Sequence, residues 1–309
     1  MEQFSGHPLF KRHTIDSVMG SMWEFYKKKF IPLFLVALVM SFITQFASSL
    51  IDFKELQSIT DPEVMLTKIR EYIWPMVLIS VMNLLFFTIL QYYVMYNPLN
   101  SDNNLLRSVI RALRYYIPYL ILMVLFVFVA SFILFLGILA LIVGVFFAGL
   151  YVATVYFFIL PVMMGEGPNI ASTISRTMRL AHKRFWPNMG WTAVFILVIV
   201  VSSIILSGLV LLPFTGSFLK VISNPGDVTQ AMDFVKNPLY LILSGVVSAL
   251  IYPFYPIFST ILYFNGLAFE ENQTGKELPE SDDDKKIKVE DLYSAPPEKE
   301  DLKGPENQL

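Results

Sequence analysis

Between Arg114 and Glu166 lie 51 consecutive residues without an Asp, Glu, Lys, Arg or His. Few folds can hold such a run. A helix needs roughly 20 apolar residues to cross about 30 Å of hydrocarbon. The run is therefore too long for one crossing and suits two joined by a tight turn. We place that turn near 135–139, around Gly137, with spans at about 117–135 and 140–163. Four further uncharged runs, at 30–50, 73–96, 189–211 and 239–266, bring the spans to six. The last contains Pro253 and Pro256, which predict a helix kink. A closed barrel would instead show alternating segments of about 10 residues. These runs are continuous, and helices satisfy their own backbone in lipid.

Composition agrees. The chain is 55% hydrophobic and 16% charged, whereas soluble domains carry about 45–50% apolar and about 25% charged residues. An excess of that size needs a lipid-facing surface, because 309 residues make only one or two soluble cores. The fold class expected is an all-α integral membrane protein of six transmembrane helices.

Orientation follows from Lys and Arg placement. With both termini on one side, that side holds Lys11, Arg12, Lys27, Lys28, Lys29, Arg107, Arg111, Arg114, Arg176, Arg179, Lys183 and Arg184. The other holds only Lys54, Lys68, Arg70, Lys220 and Lys236. Twelve against five predicts cytoplasmic N and C termini. The first apolar stretch begins at Phe30 and is too long for a signal-peptide core, so it reads as an uncleaved anchor. In the outer loops, Asp61-Pro62-Glu63 and Asp227 after Asn224-Pro225-Gly226 are helix-start signals, and short surface helices are expected there. Residues 1–13 form an N-terminal cytoplasmic segment and 14–269 the membrane domain. Residues 270–309 hold 13 Asp and Glu against 6 Lys, a composition that cannot bury a core, and read as a disordered acidic cytoplasmic tail.

Three stretches look alike. In 14–32 the apolar stripe Ile15, Val18, Met19, Met22 and Tyr26 ends in Lys27, Lys28 and Lys29 before Phe30-Ile31-Pro32. In 105–118 the stripe is Leu106, Val109, Ile110, Leu113 and Ile117, with Arg107, Arg111 and Arg114 opposite, before Tyr116-Ile117-Pro118. In 169–187 it is Ile170, Ile174, Met178 and Ala181, with Arg176, Arg179 and Lys183 opposite, before Phe185-Trp186-Pro187. Each reads as a basic amphipathic helix, an aromatic-x-Pro step and a span. Proline is tolerated in a first helical turn, where its missing N–H leaves nothing unpaired. The six spans are thus expected as three repeats of interfacial helix plus helical hairpin. The basic residues Lys27, Lys28, Lys29, Arg107, Arg111, Arg114, Arg176, Arg179, Lys183 and Arg184 are candidate contacts for lipid headgroups or for a partner. The plainer reading is a charged anchor that turns the chain at the membrane surface.

Chemistry is sparse. His7, His13 and His182 make no metal-ligand spacing, there is no cysteine, and no GxSxG, Walker A or GxGxxG motif occurs. No cofactor, metal or catalytic residue is expected. None of the six spans contains an ionisable Asp, Glu, Lys, Arg or His, which weakens ion-coupled transport. Gln45, Asn83, Thr88, Gln91, Thr154 and Asn265 should satisfy one another between helices. The small residues Gly144/Ala148, Ser203/Ser207 and Ser244/Ser248 should permit close helix packing. Glu166 reads as a contact to the N-terminus of the third basic helix.

Tyr151, Phe157, Pro161, Glu166 and Gly167, followed by Ser172, Ser175, Leu180 and Phe185, resemble a bacterial six-span group. It includes inner-membrane proteins of the YciC type and the membrane domain that precedes the catalytic domain in some glycerophosphodiester phosphodiesterases. The resemblance implies the six-span fold and the inner membrane. It does not carry the phosphodiesterase activity, whose barrel would need about 250 further residues. The expected function is non-enzymatic: binding of membrane lipids with anionic headgroups, or organisation of an envelope complex, with a protein partner on the acidic tail and no nucleic acid. The alternative is a carrier or flippase-like facilitator for an amphipathic solute.

Overall fold

A computed structural model describes residues 4–49, 51, 59, 61–99, 105–216 and 237–273. Among them the chain forms nine α-helices and no strand. In order they are α1 (Ile15–Lys28), α2 (Phe30–Ser49), α3 (Pro62–Tyr96), α4 (Leu105–Leu139), α5 (Leu141–Glu166), α6 (Ile170–Lys183), α7 (Phe185–Leu211), α8 (Pro238–Ile251) and α9 (Phe254–Gln273). Six segments, the last made of α8 and α9 together, are long and apolar enough to cross a membrane. The loop signal at 224–227 and the tail from 274 onward lie outside the described residues.

Helix starts follow local chemistry. Thr14 and Ser17 cap α1 reciprocally, the Ser17 hydroxyl accepting from Thr14 N–H at 2.8 Å. Asn169 caps α6 through Ser172 N–H, and Asn237 caps α8 ahead of Pro238. Asp61 caps a helix too, but not a short surface one. The helix it starts is α3, which runs unbroken through Pro75 to Tyr96, because nothing between 62 and 72 ends it. Phe30-Ile31-Pro32 and Phe185-Trp186-Pro187 stand in the first turns of α2 and α7, after breaks at Lys29 and Arg184. The second stretch differs: α4 is one 35-residue helix with Pro118 in its interior.

The hairpin turn lies at Ala140-Leu141, with Leu141 at φ +64°, rather than around Gly137. Gly137 serves another purpose. A Cβ there would come within 2.8 Å of the Ala148 Cβ and 2.9 Å of the Gly144 carbonyl oxygen, so the glycine permits the helices to touch.

The centre of the bundle is α9. Ile257, Phe258, Ile261, Leu262, Phe264 and Ala268 are fully buried against α3, α5, α7 and the N-terminal segment. Phe195 of α7 stacks on Phe258 at 4.0 Å, and Phe157 of α5 meets both edge-on. The sixth span breaks at Tyr252-Pro253, with Pro256 in the first turn of α9. At Pro161 and at this break, a carbonyl that lacks its helical donor takes one from a side chain. Pro161 has no N–H for the Phe157 carbonyl, so Ser259 of α9 donates to it. The break after Ile251 frees the Leu250 carbonyl, which accepts from the Tyr26 hydroxyl at 3.1 Å. Interhelical polar pairs complete the bundle: Gln91 to Thr260 at 2.7 Å, Thr44 to Asn83 at 2.8 Å, and His13 N–H to Asn265 at 3.0 Å.

Packing is uneven. The buried residues gather where the N-terminal segment, α1 and α6 close over the ends of α3, α5 and α9. At the opposite end of the α4–α5 hairpin, Leu139, Leu141, Ile142, Val143 and Phe146 are exposed on all sides.

Candidate functional site

The compact end carries the ionic chemistry, and α6 sets it up. Thr173 and Thr177 face the core there together with Leu180 and Ala181. Thr173 bonds the Asn169 carbonyl of its own helix at 2.7 Å, so it needs no partner across the interface. That rotation departs from the expected stripe. Ile174 and Met178 emerge at the surface, and Arg176 turns inward.

Arg176 is gripped from two sides. Its Nε donates to Glu166 Oε1 at 2.6 Å, its Nη1 to Glu270 Oε1 at 2.9 Å, and its Nη2 to Glu270 Oε2. Desolvation alone would lower this guanidinium, but the bonds to Glu270 and Glu166 outweigh it and hold its pKa above the ordinary arginine value. Arg179 Nε and Lys183 Nζ stand 3.8 and 3.7 Å from Glu270 Oε1. Glu166 is thus an ion-pair partner at the end of α5, and the cap of α6 is Asn169. Glu270, grouped with the acidic tail by composition, belongs to α9 and is the acid on which three cations converge.

Arg184, at the corner between α6 and α7, is held differently. Its guanidinium carbon lies 3.6 Å from the centre of the Phe269 ring, and that of Arg12 lies 4.9 Å from the same centre. Arg184 Nη1 is buried and has no hydrogen-bond partner. Burial first, and then the Arg12 charge, lower its pKa.

The other basic candidates spread outward. Lys27 is exposed over the Trp23 ring at 5.9 Å, while Lys28 and Lys29 line a surface groove of about 440 Å³ with Lys11 and Glu24. Arg107, Arg111 and Arg114 are exposed along the first turns of α4, where Arg111 also reaches the Tyr92 hydroxyl. The structure therefore joins Arg176, Arg179 and Lys183 in one cluster, places Arg184 beside it, and leaves the α1 and α4 cations apart.

Two concavities flank the bundle. An open groove of about 200 Å³ between α4, α5 and α6 is lined by apolar side chains such as Leu125, Phe126, Val155, Ile174 and Met178. A cleft of about 200 Å³ between α7 and α8 is lined by Ser203, Ser207, Ser244, Ser248, Tyr240 and Tyr252. These serines line the cleft together with Tyr240, Tyr252 and Tyr255, while α7 and α8 still pack against each other. Among the described residues no three His, Cys, Asp or Glu side chains come together as a metal site. Comparison with protein-family models, with curated proteins and with solved structures finds no match for this chain.

Proposed function

We propose that the chain is a non-enzymatic bundle of the bacterial inner membrane that binds anionic lipid at its basic rim and organises an envelope process. Both termini are cytoplasmic in this reading. The observation that carries it is the start of α4. Leu106, Ile110, Leu113 and Ile117 stand outward as one exposed apolar stripe, with exposed Arg107, Arg111 and Arg114 alongside. A helix of that cross-section is stable where hydrocarbon meets headgroups, and each basic residue near an anionic surface contributes about 1 kcal/mol.

The distribution of Lys and Arg supports the orientation, and the resemblance to the YciC-type group supports the inner membrane. The threefold repeat belongs to this proposal as well. Its support is the paired short and long helices α1–α2 and α6–α7, with α4 a fused version of the same unit. The acidic residues after 273 suit a basic surface on a protein partner.

The test is native mass spectrometry of the protein released from nanodiscs of its own membrane lipids. A retained anionic lipid that is lost in the Arg107→Gln/Arg111→Gln/Arg114→Gln variant is the expected result. Protein that carries neither lipid nor a second polypeptide would overturn the reading. The α7–α8 cleft favours a second one, a facilitator for an amphipathic solute, since hydroxyl groups line it on both walls. Liposome flux that Ser244→Leu leaves unchanged would remove that alternative.

A further inference from the structure

The apolar groove between α4, α5 and α6 has a buried floor and an exposed rim. Leu122 of α4 and Val155 and Ile159 of α5 are buried in its lining, while Val129 of α4 and Ile174 and Met178 of α6 are exposed. Two polar side chains belong to the lining, and neither is offered to a ligand. The Tyr151 hydroxyl lies 3.3 Å from His182 Nε2, and Thr177 Oγ1 is buried. A polar solute would give up its water there for no return, whereas hydrocarbon has none to give up.

Length narrows the occupant further. Along α4 the lining runs from Leu122 to Ile133, a rise of about 16 Å at about 1.5 Å per residue. One leaflet of a bilayer holds about 15 Å of hydrocarbon. The groove is thus as long as a leaflet is deep, whereas a partner's transmembrane helix would run on through both. At about 200 Å³ over that length it is also slender beside a helix, which is about 10–12 Å across. Both α4 and α5 are apolar enough to cross a membrane, and Val124, Phe128 and Phe132 are exposed on the same helix, so the groove opens towards hydrocarbon. Ile174 and Met178 suit the same surroundings, although the helix that bears them also carries Arg176, Arg179 and Lys183. Beyond the Leu122 end, exposed Arg114 stands two turns earlier on α4, about 12 Å along its axis.

We propose that the groove binds one acyl chain of an anionic phospholipid. The chain lies along α4 and α5 from Leu122 towards Ile133, and the headgroup turns to Arg114. A chain that enters from the bilayer leaves hydrocarbon for hydrocarbon and gains no hydrophobic energy. Selection therefore rests on close contact with three helices and on the charge at one end. This deepens the lipid reading above and rests on it for the headgroup alone.

The experiment uses the full chain in phosphatidylcholine nanodiscs that contain phosphatidylglycerol with a diazirine midway along one acyl chain. After photolysis, labelled peptides are mapped by mass spectrometry. Label should concentrate on 122–133 and 151–159, and unlabelled phosphatidylglycerol should displace it better than added phosphatidylcholine does. Val129→Trp fills the groove from its exposed rim without touching the core, and labelling of 151–159 should fall about tenfold. Phe128→Trp, on the neighbouring exposed position outside the lining, should leave it unchanged. Ile174→Trp, on the α6 side of the rim, should repeat the loss. The Arg107→Gln/Arg111→Gln/Arg114→Gln variant should keep label in the groove and lose the preference for phosphatidylglycerol. Equal displacement of the wild-type label by both lipids overturns the anionic headgroup while the chain site stands. Label that spreads evenly over the outward faces of α4 and α5, or that neither tryptophan at the rim reduces, overturns the site and leaves the rim reading standing.

Discussion

Ser259→Ala is a test of how this bundle tolerates proline in its core. Pro161 stands four residues after Phe157 in α5 and has no N–H to give, so the Phe157 carbonyl takes its hydrogen from Ser259 on α9. Both residues are buried, so the carbonyl is removed from bulk water. A stranded buried acceptor costs about 1–3 kcal/mol in soluble proteins. Polar bonds inside membrane bundles average about 0.6 and reach about 1.7 kcal/mol. We expect Ser259→Ala to cost about 1.5 kcal/mol, towards the upper membrane value, because the acceptor has no other donor. In a Pro161→Ala background the new backbone N–H occupies the carbonyl, and the same serine substitution should then cost about 0.3 kcal/mol, as a substitution free of special mechanisms does. The coupling of about 1 kcal/mol is measurable by a double-mutant cycle on reversible unfolding in bicelles with added dodecyl sulfate. If Ser259→Ala costs the same in both backgrounds, the serine is not replacing a proline's missing donor and the reasoning fails.

Acid should loosen the N-terminal segment. His7 Nδ1 accepts from Leu9 N–H at 3.1 Å while Nε2 faces the Val94 carbonyl at 3.0 Å, so the neutral ring fits and the charged one does not. Desolvation lowers the pKa of His7 from 6.5 to about 4, and that of His13 likewise. Folding therefore binds fewer protons than unfolding, and stability is retained above pH 6.5 and falls as pH drops towards 4. Each ring should contribute a loss of about 2 kcal/mol between about pH 7.5 and about pH 5. Hydrogen exchange of residues 4–13 against pH reads this, and His7→Gln should flatten the profile. At the hairpin tip, a Cβ on Gly144 would sit 2.5 Å from both the Ala140 Cβ and the Gly137 carbonyl oxygen, whereas one on Gly149 would meet nothing. Gly144→Val should cost about 2–3 kcal/mol of thermal stability and Gly149→Val very little; equal effects would contradict the packing. Glu270→Gln leaves Arg176 with Glu166 alone, and by breaking a nearly buried pair should cost about 3 kcal/mol in the same unfolding assay.

The spans were legible because their signal is length, which no packing detail can alter. The helix start at Asp61 and the proline break at 253 are legible for a similar reason, since they act on their own few neighbours. What escaped depends on partners distant in sequence. Thr173 counts as polar in any helical pattern, yet bonded to its own turn it faces the core and rotates α6 by its presence there. Gly137 reads as a turn in sequence because glycine does both jobs, and only the facing Ala148 shows which one applies. By composition Glu270 belongs with the acidic run that follows it, whereas its partner Arg176 lies 94 positions away. The pairing of Arg184 with Arg12 around Phe269 has no local pattern at all.

The central position of α9 also bears on how the molecule is made. His7 docks on Val94, 87 positions later, and His13 on Asn265, 252 positions later. At about 5–20 residues per second of synthesis, the second contact has to wait roughly 13–50 s. During that interval α3, α5 and α7 sit in the bilayer without the helix that fills their centre. Assembly is therefore sealed by α9, and the dock of His13 on Asn265 is among the last contacts to form. A chain interrupted before α9 would leave inserted helices with an empty centre and His13 without its dock on Asn265.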